Sequence, residues 1–446
     1  MRRAAPAVLA ILLLLSACGT VVDADQARTC RLVIPALNPE DTAIRVVRTM
    51  PGPWPNSLRV DYRAERTGQA ARNRYVLCRF AGAGLSTEKA LLTGVATERG
   101  PLPDPSFYFL KRFYLEAFGS SLRDPGAGDP AVETAAVPWP VAYGLQQTLG
   151  ALPLASIYGL LAAAYALVFG LVGRINLAFG EFAALGGSAA TVGIAMLLAG
   201  GVTTPVAGLA TGLFFALFAA ALHGFAAARV GIAPIRQATG QQVLIATTGL
   251  AIALSEYLRL TQGATTRWVP PVWNTVVPLA HADDFVVTIT PMALLVAGVG
   301  FLAASGLLAL MRLSPFGRAW RAYADDPKAA ALFGVDGRRL FDLTFVVACA
   351  LAGLAGFVMT AFYGGVGFAA GLSLGLKALV AAILGGIGSV PGAFVGGLAV
   401  GFGEALWSAT MPIEARDIAI YALLVVILIF RPGGLFGYGD RLPRPV

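Results

Sequence analysis

Residues 377–404 read KALVAAILGGIGSVPGAFVGGLAVGFGE, and this stretch decides the fold. It is apolar throughout, yet densely punctuated by glycine. Gly388, Gly392 and Gly396 recur four residues apart, a spacing that sets small residues on one helical face and lets two membrane helices approach to backbone contact. Pro391 lies between the first two, so a helix should break near Ser389. A broken, glycine-rich helix inside a membrane must be buried in protein or border a watery cavity. Transporters place their binding sites at such breaks. Close packing is the plainer reading of any single glycine here, Gly385 and Gly386 included. A packed functional centre is the reading of the stretch as a whole.

The rest of the chain agrees. Of 446 residues, 57% are hydrophobic and 13% charged, against about 25% charged in a soluble domain. Nine apolar segments follow residue 140, at 146–172, 182–200, 204–227, 241–262, 289–311, 341–363, 375–388, 392–410 and 417–430. Most approach the ~20 residues that cross a bilayer; the seventh is short and either spans or re-enters. The expected fold is an all-α polytopic membrane domain of eight to nine helices over residues 141–437. A small β-rich or α+β periplasmic domain precedes it at 19–118, joined by a linker at 119–140, and a cytoplasmic tail follows at 438–446. The net charge of +8 is spread over loops rather than gathered in one block, which excludes nucleic acid as a partner and points to the bilayer. Arg312, Arg318, Arg321, Lys328, Arg338 and Arg339 place the 312–340 loop in the cytoplasm. Counting spans from there puts the N-terminal domain outside and the C-terminus inside.

Arg2, Arg3 and the apolar run 7–15 form a signal-peptide layout over residues 1–18. Leu15-Ser16-Ala17-Cys18 matches the bacterial lipobox, which implies acylation of Cys18. Beyond it, alternating patterns at 43–49, 57–63 and 74–80 read as strands, with Gly68 in a hairpin loop. Cys30 and Cys78 flank these strands. In an oxidising periplasm they form either a disulfide or two buried thiols, and a domain this small gains most from the bridge. An aromatic helix at 106–118 either covers the sheet or lies at a membrane surface. This domain contains no histidine, and no catalytic or metal-binding constellation is expected in it.

Three further stretches carry chemistry. The cytoplasmic loop includes RAYADDPKAAALFGVDGRR (321–339). Asp325 and Asp326 precede Pro327, so Asp326 should cap a short helix that Gly334 ends. GLVGRINLAFGEF (170–182) brings Asn176, Gly180 and Glu181 to the start of a membrane helix, where a carboxylate suits the positive helix end. The chain closes with FRPGGLFG (430–437). Lys377 and Glu404 bracket the glycine-rich segments and either line a pathway or snorkel to the interface. Glu256 and Arg259 sit one helical turn apart and should pair. Cys349 should pack as a small apolar residue.

Together these stretches resemble the branched-chain amino acid ABC transporter permeases. GLKALVAAILGGIGSVPGAFVGG (375–397) resembles the family signature, and Lys377 and Glu404 match residues of it. The 321–339 loop resembles the coupling helix, with Ala329, Ala330 and Gly334 on its small-residue pattern. Asn176, Gly180 and Glu181 match a third motif, but Phe179 stands where the family usually has histidine. The lipoprotein-like N-terminal domain is not part of the family pattern.

The resemblance implies a permease subunit in the bacterial inner membrane, importing branched-chain or other small amino acids without making or breaking a substrate bond. Urea or a short amide is the alternative substrate. The implied partners are separate ABC ATPase subunits, a second permease subunit (in a heterodimer or a homodimer) and a periplasmic substrate-binding protein. No cofactor is expected in the chain itself. None of its four lysines is followed by Ser or Thr, so it has no Walker A site, and ATP is left to the partners. A rival class is an ATP-independent secondary transporter or channel, which needs an internal coupling-ion site. An envelope lipoprotein merely anchored by its spans is a poorer fit, because so many spans exceed what anchoring requires.

Overall fold

The computed structural model describes residues 22–436 apart from 40–41, 67–70, 85, 87, 116–123, 127–134, 236–237, 283–284, 387 and 432. The signal segment 1–18 with Cys18, Gly68, most of the linker and the 438–446 tail lie outside the described residues. The chain divides into two compact units: Met1–Ala135 with Gly201–Gly208 and Val272–Thr275, and the remainder.

The first unit opens with α1 (Ala24–Ala36), which the sequence reading did not anticipate. Asp23 caps it by accepting from the N–H groups of Asp25 and Gln26. Ala27, Cys30, Val33 and Ile34 recur at helical spacing and are buried against a sheet. That sheet is antiparallel, in the order β1 (Thr42–Pro51), β2 (Ser57–Arg66), β3 (Arg72–Phe80), β4 (Leu92–Thr97) and β5 (Gly100–Pro101). Its core face alternates as a strand requires, with Leu58, Val60, Tyr62 and Ala64 on β2 and Val76, Cys78 and Phe80 on β3. A disulfide joins Cys30 on α1 to Cys78 on β3 across a sequence separation of 48 residues. Closing a loop of that length stabilises the domain by roughly 4 kcal/mol in the chain-entropy account. The aromatic segment is α2 (Asp104–Phe109), continued by a wider π-helical turn, Leu110–Leu115. It divides its rings: Phe107 and Tyr114 pack on the core around Leu110, while Tyr108, Phe109 and Phe113 cluster outward.

The second unit is helical: α3 (Trp139–Val172), α4 (Phe179–Ala199), α5 (Pro205–Ala226), α6 (Gly240–Gln262), α7 (Pro291–Leu313), the loop helices α8 (Pro315–Asp325) and α9 (Pro327–Leu332), then α10 (Gly337–Tyr363), α11 (Ala370–Gly385), α12 (Val390–Thr410) and α13 (Arg416–Phe430). A β-hairpin, Val277–Ala282 with Phe285–Ile289, precedes α7. Among the described residues seven helices are long and apolar enough to cross a membrane: α3–α7, α10 and α12. This corrects the expected eight to nine. The reason is length: α11 has 16 residues and α13 has 15, which at 1.5 Å per residue reach only about 22–24 Å of a ~30 Å hydrocarbon core.

α3 is the central helix. Ala155, Ile157 and every residue from Leu160 to Val168 are at most 3% exposed. Small residues let its neighbours close in, with Gly397 and Gly401 of α12 against Gly159 and Ala155. α10 closes on α4 in the same way, through Gly353 on Gly186 and Gly356 on Ala183.

One construction occurs twice in this unit. α3 and α10 both end in a left-handed glycine, Gly173 (φ 64°) and Gly364 (φ 85°). After each, an irregular link leads to a helix that begins on an alanine N-cap without a side-chain hydrogen bond, Ala178 before α4 and Ala369 before α11. These two helices overlap at their first turns, running in opposite directions: Gly180 lies against Gly371 and Gly375, and Gly187 against Val366.

Candidate functional site

The glycine-rich stretch folds as an antiparallel hairpin of α11 and α12. The break falls at Gly386–Ser389, and Ser389 caps α12 by accepting from the Gly392 N–H at 3.2 Å, with Pro391 in the first turn. Gly388 therefore does not share a helical face with Gly392 and Gly396. It lies in the connection at φ 90°, a conformation that glycine adopts without strain. Gly392 and Gly396 do face α11, against Gly385 and Ala381. Gly386 is the C-cap of α11, also at positive φ.

Lys377 and Glu404 meet across this hairpin. Lys377 Nζ donates to Glu404 Oε1 at 2.9 Å, and the two side chains are 9% and 3% exposed. Two charges at the start of α13 complete the cluster, with Asp417 Oδ1 at 3.1 Å from Lys377 Nζ and Arg416 Nε at 3.1 Å from Glu404 Oε1. The Tyr158 ring of α3 lies 5.7 Å from the ammonium. Lys377 and Glu404 are thus buried as a pair, with the more exposed Asp417 and Arg416 beside them, and pairing is the arrangement that makes buried charge tolerable.

Glu181 has no such company. It sits in the first turn of α4, 2% exposed, its carboxylate against Gly371 at the start of α11. Its Oε2 has no hydrogen-bond partner among the described residues. Gly180 fits where no side chain would, against the backbone of Gly371 and Gly375. Asn176 lies in the link before α4, 5% exposed. Its N–H donates to the Tyr165 hydroxyl at 3.1 Å and its Oδ1 accepts from the Ala178 N–H at 3.0 Å, while its Nδ2 finds no partner among the described residues. Phe179 is fully buried edge-on to Tyr165. Elsewhere Glu256 and Arg259 pair at 2.6 Å, and Cys349 is fully buried beside Gly224.

The loop helices form a separate corner. Asp326 caps α9 by accepting from the N–H groups of Lys328 (2.9 Å) and Ala329 (3.0 Å). These two hydrogen bonds hold its carboxyl below the usual carboxylate range. Gly334, at φ 87°, ends the helix. Asp325 closes α8. Ala330 is 4% exposed and turned into the loop, so it is unavailable to a partner, whereas Leu332 and Phe333 are 89% and 90% exposed. α8 is tied to the central helix by Trp320, whose ring packs on Gly170 and whose Nε1 donates to the Leu167 carbonyl at 3.2 Å.

A family described as "Branched-chain amino acid transport system / permease component" matches residues 147–428. The chain belongs to this permease family. It is 38% identical over 295 residues to the high-affinity branched-chain amino acid transport system permease protein LivH of Escherichia coli K12, covering 66% of this chain and 96% of that protein. LivH of Salmonella typhimurium matches to the same extent. BraD, a permease protein of the same kind in Pseudomonas aeruginosa, is 32% identical over 293 residues, covering 66% and 95%. No solved structure matches. The matched region leaves out the disulfide-bonded N-terminal unit of this permease.

The permease also carries features that the sequence reading passed over. Leu332 and Phe333 could have been noticed as an apolar pair in a charged loop. Arg416 and Asp417 read only as the edge of an apolar segment, and nothing in the sequence pairs them with residues on α11 and α12.

Proposed function

We propose that this permease imports branched-chain amino acids as one subunit of an ABC importer, driven by separate ATPase subunits that dock on α9. The observation that carries this reading is the capped helix α9 with Leu332 and Phe333 bare at its end. An apolar pair this exposed on a rigid, polar loop suits a partner's cleft. α9 follows directly on α8, and Trp320 seats α8 on α3, so a push at the loop reaches the helix that most of the unit packs around. ATP is bound and hydrolysed on the partner. The permease itself rocks its helices between two facings. In this reading the 312–340 loop and the C-terminus lie in the cytoplasm and the N-terminal unit outside, where an oxidising compartment maintains the Cys30–Cys78 bridge. Cys18 anchors that unit to lipid, a second permease subunit pairs with this one, and a soluble binding protein delivers the substrate.

The test is uptake of labelled leucine and labelled urea in cells with and without this gene and its ATPase genes. Leucine uptake that is lost with either supports the reading. Uptake that survives loss of the ATPase identifies a self-sufficient transporter, and loss of urea uptake alone moves the substrate to the amides. Gly334→Pro sharpens the docking claim. Proline cannot adopt φ 87°, so α9 should end wrongly, and ATP hydrolysis should continue with leucine uptake uncoupled from it. Normal uptake in that variant would count against docking at α9.

A further inference from the structure

Polar atoms buried without partners are rare, and each calls for an explanation. In the membrane unit three of them follow α4. Asn176 Nδ2 lies just before the helix and Glu181 Oε2 in its first turn. Thr360 Oγ1 of α10, 1% exposed, lies beside Gly187 two turns further along. Next comes Ser188, on the same face of α4 as Glu181 and roughly 10 Å along the axis. Ser188 and Thr191 line a small cavity with Gln262, Thr266, Arg267 and Val366. The cavity holds about 10 Å³, room for a single water.

Val366 belongs to the irregular link between α10 and α11. Its backbone is held at both ends from outside: the Val269 N–H donates to the Gly364 carbonyl at 2.7 Å, and Ser255 Oγ donates to the Phe368 carbonyl at 3.3 Å. A polar cavity bordered by this tethered link and three unsatisfied polar atoms thus lie along the length of α4. Helix packing explains none of the three orphans. A path that is wetted in another state of the protein explains all of them.

We propose that a substrate path runs along α4, from the Ser188 cavity past Thr360 to Glu181 and Asn176, and that Glu181 receives the substrate's α-ammonium group. Glu181 is a carboxylate with no cationic partner among the described residues, so an incoming cation is the partner it lacks. Of the first-turn N–H groups, those of Phe179, Glu181 and Ala370 donate to the carbonyls of Asn176, Ala178 and Gly367, and the positive ends of α4 and α11 suit the carboxylate of the same zwitterion. The ammonium assignment rests on the amino-acid reading given above; the path does not.

The experiment is thiol labelling in the full-length permease with its partners. In a Cys349→Ala background, Ser188→Cys and Thr360→Cys are exposed to a small cationic methanethiosulfonate, with Ala164→Cys in the packed core of α3 as the dry control. The path predicts labelling at 188 and 360 about tenfold or more faster than at 164, and slowed by leucine. Equal, slow labelling at all three positions overturns it. If labelling is fast but slowed by another solute and not by leucine, the path stands and the amino-acid reading falls. Glu181→Gln tests the ammonium role. Loss of a charged hydrogen bond should lower leucine uptake about ten- to hundredfold and abolish leucine protection at 188, while Glu181→Asp recovers part of both. Normal uptake in Glu181→Gln overturns that role. If Glu181→Gln does not accumulate, Glu181→Asp and the labelling at 188 and 360 still decide.

Discussion

Two buried carboxylates in the membrane unit have opposite surroundings. Glu404 is boxed in by Lys377 and Arg416, with Asp417 completing a neutral set of four charges drawn from α11, α12 and α13. Glu181 is buried as deeply but faces two helix starts and a glycine. The first arrangement is paired: each of its charges has an opposite charge within 3.1 Å, although Glu404 Oε2 and Arg416 Nε make no hydrogen bond among the described residues, and removing one charge strands another. The second is incomplete. The lesson is that burial of charge alone does not mark a working residue. A buried charge that nothing in the chain answers is the one available to a ligand.

The largest effect should come from breaking the complete cluster. Glu404→Ala leaves Lys377 buried without its nearest carboxylate and should cost about 3–5 kcal/mol, read as loss of folded permease in a detergent thermal-stability assay. The double variant Lys377→Met, Glu404→Leu removes the buried pair together and should recover most of that loss; no recovery would mean that the cluster acts through something other than charge balance. Gly371→Ala comes next. A methyl there presses on the Glu181 carboxylate, and overpacking of this kind costs about 1–3 kcal/mol. The smallest stability change should be at Glu181→Gln. With no ion pair to lose, it should shift stability by no more than about 1 kcal/mol, in the stabilising direction if either, since a neutral amide is cheaper to bury than a lone charge. A loss near that of Glu404→Ala would dissolve the contrast.

The helical architecture and the chemistry-bearing residues were legible because membrane spans and helix punctuation are local signals. The break at Ser389 followed from Pro391, and the cap at Asp326 from Asp-Pro. Three strands of the N-terminal sheet followed from alternation. What was not legible depended on partners distant in the chain. The burial of Lys377 beside Glu404 is a contact between helices, and Gly388 left its expected face because the break consumed it. α1 is a different case: Ala27, Cys30, Val33 and Ile34 carry the helical period openly, and Asp23 stands ready as a cap, but the stretch is short and follows a segment that reads as an export signal. The unanswered state of Glu181 cannot be seen in a sequence, because an absence of neighbours is a property of the packed chain.

The twin helix starts have a further meaning. Gly180 and Gly371 occupy corresponding places, but the residue after the first is Glu181 and the residue after the second is Leu372. The backbone frame is duplicated and the charge is not. Turned over in the membrane, the frame would look much the same while its carboxylate would sit on the other half. A device of this kind has a front and a back, and that unshared carboxylate gives the two faces different chemistry.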